Sequence, residues 1–353
     1  MDRDIHQIDL PKRVIVGSDI LSKVPNHITE LSLGKKILIV SGYSSTKDYA
    51  NVVKDYLIDD GLECWVTHVD KASIDEIDRV SSIAREVKAE ILIGVGGGKA
   101  IDVAKYTALN SGVKFISIPT TPSHDGIASP FASIKGLERP ISVKASTPVL
   151  VIADVNVISK APRRNIIAGC GDLIGKFSAV LDWRLAHRLK GEYYGEYAAS
   201  LALLSAKHIV KYSEMFVARD IPIEAIRVLV EALISSGIAM AIAGSTRPAS
   251  GSEHLIAHAI DVVANYPALH GEEVGIGSIV ALYLHGRNWR KVRHMLSSIG
   301  APTKARDIGI GREQLVKALT IAHAIRPERY TILGEKGISS EAAEKIIQIL
   351  ELY

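Results

Sequence analysis

The stretch GVGGGKAIDVAKYTA, Gly94 to Ala108, has glycine at four of its first five positions and then a lysine, an aspartate and a helical pattern. It continues the apolar run EILIGVG, which predicts a buried strand. A strand, a glycine turn and a helix in this order can cradle a phosphate, because glycine lets the backbone approach and the helix start offers free N–H groups. A turn that only packs a helix on a strand has the same pattern. The spacing also departs from the dinucleotide fingerprint, since Lys99 stands where Gly or Ala is expected.

Strand and helix patterns alternate on both sides of this stretch. Short apolar runs predict further strands at KILIVS (Lys36 to Ser41), ECWVTHV, KFISIPTT and PVLVIADV (Pro148 to Val155). Amphipathic patterns between them predict helices, for example SIDEIDRVSSIAREVKA. This alternation predicts an α/β fold with a doubly wound, mostly parallel, Rossmann-like sheet.

The pattern changes after about Pro162, where long helical periods follow without a strong strand run. These periods cover residues 168–189, 196–212, 224–243 and 253–264, and another begins at 272. A chain of 353 residues, 47% of them hydrophobic, is long enough for two sizeable cores. We therefore expect an α/β domain at residues 1–158 and an all-α domain at residues 159–353.

Composition excludes some function classes. The net charge of +3 and the absence of a dense Lys/Arg run argue against nucleic-acid binding. The most notable apolar run, Val274 to Leu284, is too short to span a membrane, so we expect no membrane insertion. Only two cysteines, Cys64 and Cys170, are present, which excludes a disulfide framework and makes the cytoplasm the expected compartment.

Candidate metal ligands occur in three segments of the helical half: GCGDLIGK (169–176), SGSEHLIAHAID (250–261) and LHGEEVGIGS (269–278). His254 and His258 are four residues apart and share one helix face. Asp172, His254 and His270 would give one carboxylate and two imidazoles. Three such ligands with one open position are typical of a catalytic zinc, and ferrous iron takes the same donors.

These residues also have plainer interpretations. The chain has 12 histidines, so a pair with HxxxH spacing is often incidental. Asp172 follows two glycines of its segment and could be a helix N-cap. Ser250 and Glu253 have the spacing of a capping box, which predicts a helix start just before His254. Arg247, in the loop before that helix, is a candidate side chain for binding an anion, although most arginines are simply solvated.

The motifs taken together are more specific than any one of them. GVGGGKAIDVAK, IPTTPSHDGIASPFASI, GCGDLIGK, SGSEHLIAH and HGEEVGIG resemble, in order and over nearly the whole chain, the iron-dependent alcohol dehydrogenase and dehydroquinate synthase superfamily. The loop TTPSHDGIASP, Thr120 to Pro130, looks like that of its archaeal sn-glycerol-1-phosphate dehydrogenase branch. The resemblance implies a dehydroquinate synthase-like fold with its active site between the two domains. The implied reaction is the NADH- or NADPH-linked reduction of dihydroxyacetone phosphate to sn-glycerol 1-phosphate, the backbone precursor of archaeal ether lipids.

The resemblance also implies a role for individual residues. Asp172, His254 and His270 would bind one divalent metal, for which we expect zinc, with ferrous iron as the alternative. The catalytic set would be Asp125, His258 and Asp172, with Asp125 and His258 facing the substrate. The NAD or NADP site would include Gly96, Gly97, Gly98, Lys99, Ala100, Ile101, Asp102, Thr120, Thr121, Pro122, Ser123 and Ser129.

Further expectations concern the cofactor and the partners. An NAD-selective domain often carries an acid after an early strand, and SGYSS (41–45) has none, so we expect NADP to be accepted as well. The only partners expected are a small phosphorylated triose and, by resemblance, further copies of the chain in a homo-oligomer.

Three other functions remain open at this point. A glycerol (polyol) dehydrogenase of the same superfamily would lack a basic phosphate pocket. A dehydroquinate synthase-like cyclase would carry Glu in place of Asp172. A regulatory module that only binds a nucleotide would lack some of the metal ligands, and all three are present.

Overall fold

The computed structural model describes residues 6–134 and 141–353. In these residues the strands are β1 (Arg13–Gly17), β2 (Lys36–Gly42), β3 (Glu63–Val69), β4 (Ile91–Gly96), β5 (Lys114–Pro119), β6 (Phe131–Ile134), β7 (Ile141–Lys144) and β8 (Leu150–Asp154). The helices of the first half are α1 (Val24–Glu30), α2 (Thr46–Asp59), α3 (Ile74–Glu86), α4 (Gly98–Ser111) and α5 (Val155–Ser159). Those of the second half are α6 (Arg163–Ile174), α7 (Lys176–Lys190), α8 (Glu196–Lys211), α9 (Ile223–Ala243), α10 (Ser252–Ala264), α11 (His270–Leu284), α12 (Trp289–Ser298), α13 (Arg312–Ile325) and α14 (Ser340–Ile349).

Six strands form one parallel sheet in the order β1-β8-β5-β4-β2-β3, so the predicted α/β fold class is confirmed. Successive side chains of a strand point to opposite faces of its sheet. Leu38 and Val40 accordingly belong to one hydrophobic cluster, and Ile37 and Ile39 to another. Both faces are covered, which explains why the strands are continuous apolar runs rather than alternating ones.

Three local features differ from the sequence prediction. β1 at the sheet edge was missed, because its short run has intermediate or exposed residues throughout. The antiparallel hairpin β6–β7 was also missed. The helix expected over residues 168–189 is two helices, α6 and α7, which meet at Gly175.

Helix α9 is the most apolar element of the second half. Its length and mean hydropathy of 1.8 would suffice to cross a membrane, a possibility that the sequence analysis overlooked. In the structure, 67% of its most apolar window is buried, as in the core helix of a folded domain.

The change from strands to helices occurs after β8, which ends at Asp154. The larger hydrophobic cluster includes residues of both halves, from Leu38 to Leu352. The two parts of the chain therefore share apolar contacts.

Candidate active site and metal centre

The glycine stretch lies where β4 ends and α4 begins, at the carboxyl edge of the parallel sheet, the usual ligand-binding edge of such folds. Gly96 has φ of +154°, a conformation that favours glycine. The Thr120 N–H, at the end of β5, donates to Gly96 O at 3.0 Å and fixes the turn against the next loop. A Cβ on Gly98 would overlap the ring of His124. The turn therefore leaves no room for a side chain at Gly98 unless His124 moves.

The predicted cofactor residues do not all face the same way. Lys99, Asp102 and Ser129 line a cleft of about 410 Å³. Ile101 is fully buried, and its N–H donates to Gly97 O at 3.2 Å, so this residue faces the core. The other predicted residues of the turn and loop lie nearby without lining the cleft: Gly96, Gly97, Gly98, Ala100, Thr120, Thr121, Pro122 and Ser123.

The three candidate metal ligands come together from three helices. Asp172 is in the last turn of α6, His254 in the first turn of α10, and His270 is the first residue of α11. One ligand atom from each lies within 4.8 Å of the other two. Asp172 is inside a helix, which removes the N-cap interpretation. The geometry therefore suits a divalent metal bound by three protein ligands.

Close backbone contact between α6 and α11 makes this arrangement possible. A Cβ on Gly171 would lie 3.0 Å from the carbonyl carbon of Gly271, and a Cβ on Gly271 would lie 2.6 Å from that of Ala168. Only glycine allows the two helices to approach this far. The glycines of GCGD and HGEE thus bring Asp172 and His270 to one point.

Glu253 holds His254 in place. Its Oε1 lies 2.8 Å from Nδ1 of His254, which leaves Nε2 directed at Asp172 Oδ1, 3.6 Å away. Such a carboxylate–histidine pair is typical of metal sites. Glu253 also accepts from Ser178 Oγ and from the backbone N–H of Gly251, which is the actual N-cap of α10. The predicted capping box with Ser250 was therefore wrong.

Lys176 connects the metal cluster to the loop after β5. Its fully buried Nζ donates to Asp172 Oδ1 at 3.1 Å and to Asp125 Oδ2 at 2.9 Å. Asp125 also accepts from Ser236 Oγ at 2.8 Å, and its backbone N–H donates to Asp172 Oδ2 at 3.1 Å. Its carboxylate is therefore not used in a turn of its own loop.

Charge balance in this cluster favours a cation. Burial alone would raise the pKa of Asp172, but the charge of Lys176 and the hydrogen bond with His254 hold that pKa below its usual range. The pKa of Glu253 is also lowered, because its bonds with His254 and Ser178 outweigh burial. The carboxylates of Asp125 and Asp172 share the single ammonium of Lys176, and the Glu253 carboxylate contacts the ring of His254. The buried carboxylates therefore outnumber the ammonium groups that contact them.

His258 is one turn beyond His254 on α10, and its ring stacks on that of His270 with centroids 5.6 Å apart. Its buried Nδ1 has no hydrogen-bond partner among the described residues, since Asp261 Oδ2 is 3.6 Å away. Burial lowers the pKa of His258, so the ring is neutral near pH 7. The structure therefore brings a neutral imidazole with an unused nitrogen into the cleft.

The sequence analysis missed Lys105, a buried polar residue near the site. Lys105, one turn after Asp102, donates to Gly126 O and Phe131 O at 2.6 Å each and so holds the loop between β5 and β6. The spacing DxxK in IDVAK was the available signal, but it is indistinguishable from a solvated helix pair.

Arg247, which the sequence analysis named, is buried and forms a bidentate ion pair with Glu192. It does not line the cleft.

Comparison with known proteins agrees with the fold and identifies relatives that match nearly the whole chain. Residues 15–162 match the family model described as iron-containing alcohol dehydrogenase. A protein of Saccharolobus islandicus (strain M.14.25 / Kamchatka #1), named glycerol-1-phosphate dehydrogenase (NAD(P)+), is 52% identical over 98% of each chain. A protein of the same name from Aeropyrum pernix is 52% identical over 98% of each chain. Another, from Metallosphaera sedula, is 54% identical over 97% of this chain and 96% of the relative.

Solved structures show the same fold at lower identity. A probable glycerol dehydrogenase from Sinorhizobium meliloti 1021 superposes with a TM-score of 0.79 at 22% identity, over 98% of each chain. An NADH-dependent butanol dehydrogenase A from Thermotoga maritima gives a TM-score of 0.74 at 18% identity, over 99% of this chain and 98% of the other.

Proposed function

This chain belongs to the family of glycerol-1-phosphate dehydrogenases (NAD(P)+), and from that membership we propose that it reduces dihydroxyacetone phosphate to sn-glycerol 1-phosphate with NADH or NADPH. The observation that carries the proposal is the convergence of Asp172, His254 and His270 at one point, beside a cleft that His254 and His270 line together with Lys99 and Asp102 of α4. The dinucleotide and the ketone substrate would meet there. The product would supply the glycerophosphate backbone of archaeal ether lipids.

Asp172, His254 and His270 would hold the metal, and we propose Zn²⁺, with Fe²⁺ as the alternative because one carboxylate and two imidazoles suit both ions. When bound, such an ion polarises a carbonyl oxygen and stabilises the negative charge that develops on it during reduction. Glu253 and Lys176 would keep His254 and Asp172 in position.

His258 is the proposed proton relay to the substrate oxygen. A neutral imidazole can give a proton from one ring nitrogen and take one at the other. The unused Nδ1 of His258 and its place on the cleft wall are suited to this role.

Asp125 is the proposed contact to a substrate hydroxyl. Its carboxylate is held by Lys176 and Ser236, and the residue lines the cleft. A carboxylate fixed from behind by two donors can orient a hydroxyl without itself rotating away.

The cofactor would lie on the glycine turn between β4 and α4 and on the loop after β5. Lys99, Asp102 and Ser129 line the cleft, and the α4 N-terminus offers unpaired N–H groups to a pyrophosphate. We propose that residues 1–158 and 159–353 act as two domains around this cleft, that the enzyme is a homo-oligomer, and that it works in the cytoplasm.

An assay of NADH oxidation tests the proposal with dihydroxyacetone phosphate and with unphosphorylated dihydroxyacetone, each before and after chelation and zinc add-back. A stereospecific assay then identifies the sn-1 or sn-3 product. We expect metal-dependent turnover of the phosphorylated ketone and the sn-1 product. Turnover of only the unphosphorylated ketone would contradict the proposal and favour a glycerol dehydrogenase.

A further inference from the structure

Arg329 is a buried cation that lacks an acidic partner at hydrogen-bond distance. It lies in the segment after α13, is only 8% exposed, and donates from Nη1 to Ser250 O at 2.5 Å and from Nη2 to Thr246 Oγ1 at 2.6 Å. Both acceptors are neutral. Among the described residues no carboxylate forms an ion pair with it, although a buried guanidinium is costly without one.

The surroundings of Arg329 add positive charge. Burial and the charges of Arg326 and Arg247 lower the pKa of Arg329 to about 9, although the carboxylates of Glu192 and Glu253 act on it in the opposite direction. Arg247 has Glu192 as its partner and Arg326 has Glu328, so each of these charges is already balanced. Of these three arginines, Arg329 is the one that has no described carboxylate at ion-pair distance.

Thr246 and Ser250 connect this cation to the active-site cleft, since both line it together with His254 and His258. A guanidinium can only donate, so Thr246 Oγ1 accepts from Arg329 and keeps its own hydrogen for another acceptor. No described residue accepts that hydrogen. The Ser250 hydroxyl, at the same wall, likewise has no described partner. Two hydroxyl donors backed by an unmatched arginine are what a bound phosphate group needs.

We propose that Thr246 and Ser250 bind the phosphoryl group of the substrate, and that Arg329 positions Thr246 and supplies the matching charge from behind the cleft wall. This inference rests on the proposed function, because it names where the phosphorylated end of that substrate lies. It also replaces Arg247, the residue that the sequence offered, with a cation that has no carboxylate partner.

Thr246→Val tests the subsite, because valine keeps the shape and removes the hydroxyl. With metal-loaded enzyme we expect KM for dihydroxyacetone phosphate to rise at least tenfold, the inhibition constant of inorganic phosphate to rise in parallel, and the bound metal to stay at the wild-type level. Thr246→Ser, which keeps the hydroxyl, should restore both constants to within about threefold of wild type.

Arg329→Lys tests the charge and should give a smaller rise in KM than Arg329→Met, since lysine keeps the charge but not the two-pronged contact. Arg312→Gln, an exposed arginine paired with Glu344, is the matched surface control and should leave KM unchanged. The loss in the Thr246 and Arg329 variants should be confined to the phosphorylated ketone. Equal losses with dihydroxyacetone would mean a structural role and overturn the proposal.

Direct titration of inorganic phosphate into the wild type and Thr246→Val by calorimetry separates this inference from the proposed function. If the wild type reduces only unphosphorylated ketones, the proposed function fails, and the titration still decides the subsite. Phosphate binding that is weakened at least tenfold by Thr246→Val supports it. Equal binding to both proteins, as for phosphate held only by the metal, overturns it.

Discussion

The substitution Gly271→Ala should move the metal-ligand candidate His270 away from Asp172 without replacing either residue. The new Cβ would lie 2.6 Å from the carbonyl carbon of Ala168 and closer still to its oxygen, both backbone atoms that cannot rotate away. To reach the 3.4 Å of an ordinary contact, the start of α11 must move from α6 by at least 0.8 Å. His270 is the neighbouring residue, and metal–ligand distances tolerate only about 0.2 Å. We therefore expect affinity for zinc to fall at least about a hundredfold.

The same substitution should lower the free energy of unfolding of the metal-free protein by about 1–3 kcal/mol, the usual cost of overpacking. Gly275→Ala, one turn further along α11, is the matched control. Its Cβ would meet the side chain of Leu296 at 3.6 Å and Gly171 Cα at 3.9 Å, both ordinary contacts, so stability should stay level or rise by about 0.5–1 kcal/mol. Metal content after dialysis against a zinc buffer and urea unfolding measure both effects. Wild-type zinc affinity in Gly271→Ala would refute the close-contact reasoning.

Three further predictions concern the cofactor, the loop and pH. Because residues 41–45 carry no acid, kcat/KM with NADPH should be within about tenfold of that with NADH, and a larger preference for NADH would contradict this. Lys105→Met should raise KM for the cofactor about tenfold or more, since each hydrogen bond to a charged group contributes about 1.5–3 kcal/mol, and an unchanged KM would show that the loop holds without it. The pKa values of His258 and His270 are lowered from 6.5 by burial, and that of His254 is raised by its acidic partners against burial. The stability lost by protonating His258 and His270 therefore outweighs the stability gained by protonating His254. Urea unfolding of the metal-free protein should show the free energy of unfolding falling as pH drops below about 6.5. A flat pH profile would contradict this prediction.

The sheet could be predicted from the sequence because its strands are buried on both faces. Such strands are continuous runs of Ile, Leu and Val, as in β2 and β4, and the helices between them are amphipathic. β1 was missed because no residue in it is fully buried, so its run lacks that signal. The break between α6 and α7 was missed because periodicity continues across Gly175.

The metal ligands could be predicted from motif order, but the residues that support them could not. Glu253 and Lys176 are adjacent to predicted ligands in the sequence or one turn away, where helix surfaces also carry charged residues. Arg329 is 75 residues beyond His254 in number and belongs to no motif of the chain. Its role depends on burial and on the absence of an acidic partner, and neither property is visible without the fold.

Asp125 links the two halves of the site. The residue belongs to the loop after β5, yet its N–H donates to the metal-ligand candidate Asp172, and its carboxylate accepts from Lys176 and from Ser236 on α9. The loop that approaches the cofactor turn is thus fastened to three helices of the other half, α6, α7 and α9, by buried bonds, and charge-assisted bonds are strongest in such a place. A change at Asp172 would release the loop as well as the metal. Loss of activity in an Asp172 variant therefore cannot by itself assign this residue to metal binding, whereas loss in a His270 variant, which leaves the loop fastened, can.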